Sequence, residues 1–161
     1  MIIRLGPMVR DFENGKVLDL GEVIMGFERF GTVSFTSQTK AAPFVDLLDK
    51  GMVAGTKCKG CGASYFPPRP DCSKCFSSNM EWTEITGNGK LVSYSKLIYA
   101  PTGFEADLPY SIALVEFPNN LKVFGRLSKE IKDEEISIGM DLKTEVVKLP
   151  NDRVTYQFKK A

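Results

Sequence analysis

The sequence predicts a mainly β protein: an N-terminal helix and a rubredoxin-like zinc ribbon, then a five-stranded barrel of the oligonucleotide/oligosaccharide-binding (OB) type. Two observations predict it. Two Cys-x-x-Cys pairs, Cys58 with Cys61 and Cys72 with Cys75, have the spacing of metal-binding knuckles. Five β-like runs follow them, with a short helical pattern between the third and fourth, which is the element order of an OB barrel.

Composition narrows the function. The 161 residues are 43% hydrophobic, enough to build a real core. A net charge of +1, from 21 basic and 20 acidic side chains, gives no long-range field to attract a polyanion. The chain has no histidine, which removes the usual general base, the Ser-His-Asp and Cys-His arrangements, and the imidazole-bearing catalytic zinc sites. That argues against an enzyme. No apolar run has the length of a signal core or a membrane span, so a soluble, cytoplasmic protein is expected, and in a reducing compartment paired cysteines are metal ligands rather than disulfides.

The elements follow in order. Residues 1–40 read as an extension of short strands and glycine turns, with candidate strands at 17–20 and 32–35 and a hairpin signal at Asn14-Gly15. Residues 41–82 hold the helix and the ribbon. Phe44, Leu47 and Leu48 fall at helical spacing, Pro43 suits a first turn, and Gly51 is placed to end the helix. Residues 83–161 form the barrel: a polar linker over 83–89, then strands over 90–99, 110–117, 121–127, 140–149 and 153–159. The last alternates, Val154, Tyr156 and Phe158 on one face against Arg153, Thr155, Gln157 and Lys159 on the other. A short helix is expected within 129–138, anchored by Ile131 and Ile136. Tyr94, Tyr99, Tyr110, Phe117 and Phe124 are expected to pack in the barrel's core or rim, and the loop 100–109, with Phe104, to present a partner or ligand.

Cys58, Cys61, Cys72 and Cys75 are read as the ligands of one structural zinc ion. Facing knuckles place four thiolates in a tetrahedron, leaving no position for water or substrate. Iron suits the same ligand set, and zinc is preferred because nothing in the sequence signals electron transfer. Lys57, Lys59, Arg69 and Lys74 stand against Asp71 in this segment. A phosphate could pair with Arg69, and Tyr65 or Phe66 could cover an adenine; the alternative is that Phe66-Pro67-Pro68 stiffens the ribbon.

Several strings occur together around these cysteines: Phe66-Pro67-Pro68-Arg69, Gly103-Phe104 before Leu108-Pro109-Tyr110, Ala113-Leu114-Val115-Glu116, and Ile138-Gly139-Met140. Over residues 41–158 the chain resembles the acyl-CoA-associated zinc-ribbon/OB proteins, known as domain of unknown function 35, in their archaeal branch. The resemblance implies a non-catalytic scaffold that holds acetoacetyl-CoA thiolase, a thiolase-superfamily enzyme, against HMG-CoA synthase. It also implies a share in a CoA site, for which Arg69, Phe66 and Lys57 are the candidate contacts. The rival reading is a single-stranded nucleic-acid module, disfavoured by the lack of a basic stripe.

Overall fold

The computed structural model describes residues 9–10, 17–18, 29–31 and 39–161. Strands β1 (Val9–Arg10) and β2 (Val17–Leu18) pair antiparallel, so the candidate strand at 17–20 is present in its first half. The expected strand at 32–35 and the Asn14-Gly15 turn lie outside the described residues.

Helix α1 (Pro43–Asp49) starts on proline and buries Phe44, Val45 and Leu48 on one face. Gly51, at φ 81°, donates its amide to the Leu48 carbonyl at 2.8 Å and stops the helix in a conformation that costs glycine least. The ribbon is a three-stranded sheet of β3 (Ala54–Cys58) between β4 (Ser64–Tyr65) and β5 (Met80–Glu84). The polar linker begins later than expected, because Thr83 and Glu84 extend β5 against Gly55 and Ala54.

The barrel comprises β6 (Gly89–Leu97), β7 (Tyr110–Phe117), β8 (Leu121–Leu127), β9 (Asp141–Leu149) and β10 (Arg153–Lys160), closed in the order β10-β8-β7-β6-β9. β10 runs parallel to β8, and its other pairing, to β9, is antiparallel. This is the OB topology. Leu91, Val115, Val123, Leu142, Val154 and Phe158 fill the interior. Gly125 is required there, since a Cβ on it would lie 2.9 Å from the rings of Tyr156 and Phe158.

The helix expected within 129–138 is only a 3-10 turn, Asp133–Glu135. Three consecutive carboxylates hold too few apolar side chains for an amphipathic helix, and Ile131 and Ile136 reach the core from either side of the turn without one.

Helix, ribbon and barrel share one continuous core. Phe44, Val45, Leu48, Val53 and Ile85 pack with the barrel interior, and Phe66 joins Phe44 and Tyr156 at ring-centroid distances of 6.0 and 5.4 Å. Phe30 completes this cluster, 5.6 Å from Phe44 and 6.1 Å from Tyr156. Among the described residues no helix is long and apolar enough to cross a membrane.

Candidate metal centre

The two knuckles have the same backbone design. Cys58 donates its amide to Ala63 and receives the Gly62 amide on its carbonyl, both at 2.8 Å; Cys72 does the same with Ser77 and Phe76, both at 2.9 Å. Each loop therefore needs a left-handed residue directly after its second cysteine. Gly62 supplies it at φ 74° without steric cost. Phe76 supplies it at φ 57°, where a bulky side chain costs about 1–2 kcal/mol.

These loops bring the four Sγ atoms within 4.8 Å of one another, with Cys58–Cys75 and Cys61–Cys72 at 3.5 Å. A tetrahedron of ~2.3 Å metal–sulfur bonds has edges of about 3.8 Å, so the set fits one ion with little movement. Cys58 and Cys72 are buried, and Cys61 and Cys75 face outward.

The surrounding hydrogen bonds favour thiolate. The Tyr65 hydroxyl lies 3.1 Å from Cys72 Sγ, accepts from Ser73 Oγ at 3.4 Å, and can donate to an ionised Cys72; the Lys74 amide donates to the same sulfur at 3.4 Å. With Tyr65 as the main cause, the Cys72 thiol is lowered to about 6. Cys75 is pushed up to about 12: the Ser77 amide draws it down, and the thiols of Cys58, Cys61 and Cys72 outweigh that pull. Four thiols this close cannot all ionise on their own, and a divalent cation is what lets the remaining protons leave. An ion held by all four sulfurs would have no open position and would act on folding, not on substrate.

The other site residues expected from the sequence are not gathered around one point. Thr56 faces Tyr65 and Trp82 across the sheet, whereas Lys57 pairs in register with Ser64 and Glu81 and so projects from the opposite face. Arg69 belongs to the Thr56 side. Its amide donates to Thr56 Oγ1 at 2.9 Å, the Thr56 hydroxyl donates to its carbonyl at 3.1 Å, and its guanidinium lies 5.3 Å from the Tyr65 ring centroid. Arg69, Lys40, Thr56 and Trp82 line a cavity of about 200 Å³. Phe66 does not line this cavity and packs instead in the aromatic cluster with Phe44 and Tyr156.

On the barrel, Phe104 is half-buried and not free: Arg126 lies 5.1 Å from its ring and 4.2 Å from that of Tyr110, and pairs with Asp107 at 2.7 Å. This fastens the loop 100–109 to β8. Phe117 is buried as expected, whereas Tyr94, Phe124 and Tyr99 are 43%, 56% and 83% exposed. Tyr99 lies beyond the end of β6, and the bulge between Leu91 and Ser93 breaks the alternation that would foretell which way Tyr94 faces.

Comparison with known proteins places this architecture. Residues 46–81 match the family described as ChsH2, rubredoxin-like zinc ribbon domain, and residues 82–147 match ChsH2, C-terminal OB-fold domain. A DUF35 domain-containing scaffold protein of Methanocaldococcus jannaschii is 34% identical over 118 residues, 70% of this chain and 83% of the relative. The chain belongs to the DUF35 family. A benzoylsuccinyl-CoA thiolase subunit BbsA from Geobacter metallireducens, 30% identical over 109 residues, covers 66% of this DUF35 chain and 73% of its own length. Among solved structures, the Ltp2-ChsH2(DUF35) aldolase shares the fold at a TM-score of 0.66 and 23% identity, covering 78% of this chain and 98% of that one.

Proposed function

We propose that this DUF35 chain is a non-catalytic scaffold subunit of an acyl-CoA enzyme complex, its ribbon held by one structural zinc ion. The observation that carries the reading is the relationship along most of the chain to proteins named as a scaffold and as a thiolase subunit. The chain's own chemistry agrees. Its sequence lacks histidine, and its four cysteines converge on one closed site, so no thiolate is left to act as a nucleophile.

The partners proposed are a thiolase-superfamily enzyme and, in the archaeal arrangement, HMG-CoA synthase, assembled in the cytoplasm. The units proposed are residues 41–82 for helix and ribbon and 83–161 for the barrel, with 1–40 preceding them. For a shared CoA site, Arg69 is the phosphate contact best supported, because Lys40 lies beside it and Trp82 offers a ring in the same cavity. Phe66 packs between helix and barrel, and Lys57 serves a different surface.

The nucleic-acid reading is weaker. Exposed Tyr94 and Phe124 could stack bases, but Lys90, Lys96 and Arg126 are each paired with an aspartate.

Affinity-tagged protein purified from its native cell should bring down a thiolase-superfamily enzyme, identified by mass spectrometry. Recovery of no CoA enzyme would end the scaffold reading. In the recovered complex, Arg69→Ala should weaken equilibrium CoA binding several-fold, and unchanged affinity would remove Arg69 from the site.

A further inference from the structure

The second knuckle holds a residue its own geometry disfavours. Phe76 occupies the position that Gly62 fills in the first knuckle, with the same pair of backbone hydrogen bonds and the same left-handed backbone. A phenylalanine in that conformation normally earns its place by burying its ring. This ring is 87% exposed, the most exposed of the large apolar side chains among the described residues. Neither the metal nor the core of the isolated chain accounts for it.

The surroundings specify what it meets. Lys74 lies two residues before Phe76, and Lys59 lies on the facing knuckle, where a Cβ on Gly60 would come 3.7 Å from Cys75 Sγ and 3.9 Å from Ser77 Cβ. Lys59 and Lys74 are both exposed, and neither belongs to an ion pair among the described residues; Asp71, directly before Cys72, is exposed as well. Of the four sulfurs, those of Cys58 and Cys72 are buried, with the Tyr65 hydroxyl and the Lys74 amide beside Cys72, and those of Cys61 and Cys75 face outward. The tip of the ribbon is thus an apolar knob flanked by the ammonium groups of Lys59 and Lys74.

We propose that Phe76 is the anchor by which the ribbon docks on its enzyme partner, inserting into an apolar pocket rimmed by carboxylates. The inference rests on the scaffold reading and names its contact. An exposed aromatic held rigidly in a metal-clamped loop loses little conformational freedom on binding, and central aromatics carry a disproportionate share of interface energy. The surrounding cations add electrostatic steering, which makes association sensitive to salt.

Phe76→Gly separates binding from folding, because glycine suits this backbone better than phenylalanine does. The variant should keep one equivalent of metal and a thermal midpoint at or above that of the parent. It should also bind the enzyme recovered with the tagged parent protein at least about tenfold more weakly. Lys74→Glu should weaken the same association and flatten its dependence on salt. Equal recovery of the enzyme by Phe76→Gly would overturn the anchor and leave the scaffold reading standing, whereas recovery of no acyl-CoA enzyme by the parent would overturn both. A variant that loses its metal or unfolds would show a structural role for Phe76 and overturn the proposal. So would sedimentation showing a dimer of the isolated parent that Phe76→Gly dissolves, since the pocket would then belong to a second copy.

Discussion

Tyr65 shows how far a single residue can be read before its neighbours in space are known. Its ring is a plausible cover for adenine on composition alone, yet the pairing of β4 with β3 turns its hydroxyl onto Cys72 Sγ at 3.1 Å. The cysteines themselves were legible, because ligand spacing along the chain is enough to define a knuckle. The supporting hydroxyl was not, since it depends on strand register. Groups in this position orient and stabilise a metal ligand, and losing one commonly weakens metal binding by about 10–100-fold. Tyr65→Phe should therefore lower zinc affinity by about tenfold in competition with a chromophoric chelator while leaving the circular dichroism of the metal-bound protein unchanged. Identical competition curves would show that the hydroxyl contributes nothing to the site.

At the scale of elements, the barrel strands were legible from alternation and turns, and the helix within 129–138 was not, because its charge pattern resembles a helix start with no apolar face behind it. Residues 29–31 illustrate a different limit. Gly31 donates its amide to the Val154 carbonyl at 2.9 Å, and Phe30 forms a parallel bridge with Val154, so this segment lengthens the sheet along β10. Arg29 then clamps α1 to the turn before β10: its guanidinium meets both oxygens of Asp49 at 2.7 and 3.1 Å, and its Nε donates to the Asp152 carbonyl at 2.9 Å. Nothing in the local sequence announces partners more than a hundred residues away. The side chain of Arg29 is only 14% exposed, so the paired geometry is better shielded than an ordinary surface bridge. Arg29→Ala should cost about 1 kcal/mol in denaturant unfolding. An unchanged midpoint would mean that Phe30 and the backbone bridge hold the segment without the clamp.

For the molecule as a whole, the order of helix, ribbon and barrel follows from the chain, but the way they share a core does not. Phe66 sits between the two cysteine pairs and could have served the ribbon alone; instead it packs against Phe44 of α1 and Tyr156 of β10. Val53 and Ile85, which flank β3 and β5, lie in the same buried cluster as the barrel interior. A short ribbon cannot bury enough apolar surface to fold alone, so metal binding is part of its folding energy. Through this shared core, some of that energy should also stabilise the barrel. The single tryptophan, Trp82 on β5, reports the ribbon by fluorescence, and far-ultraviolet circular dichroism is dominated by the barrel strands. Removing zinc with a chelator should therefore lower both thermal midpoints, not the fluorescence midpoint alone. Phe66→Ala, in the zinc-bound protein, should lower them together by an amount equivalent to about 2–3 kcal/mol, or roughly 5–10 °C for a chain of this size. If the tryptophan signal shifts after chelation while the barrel melts where it did before, the two units share a surface without sharing stability, and the aromatic cluster is a hinge rather than a weld.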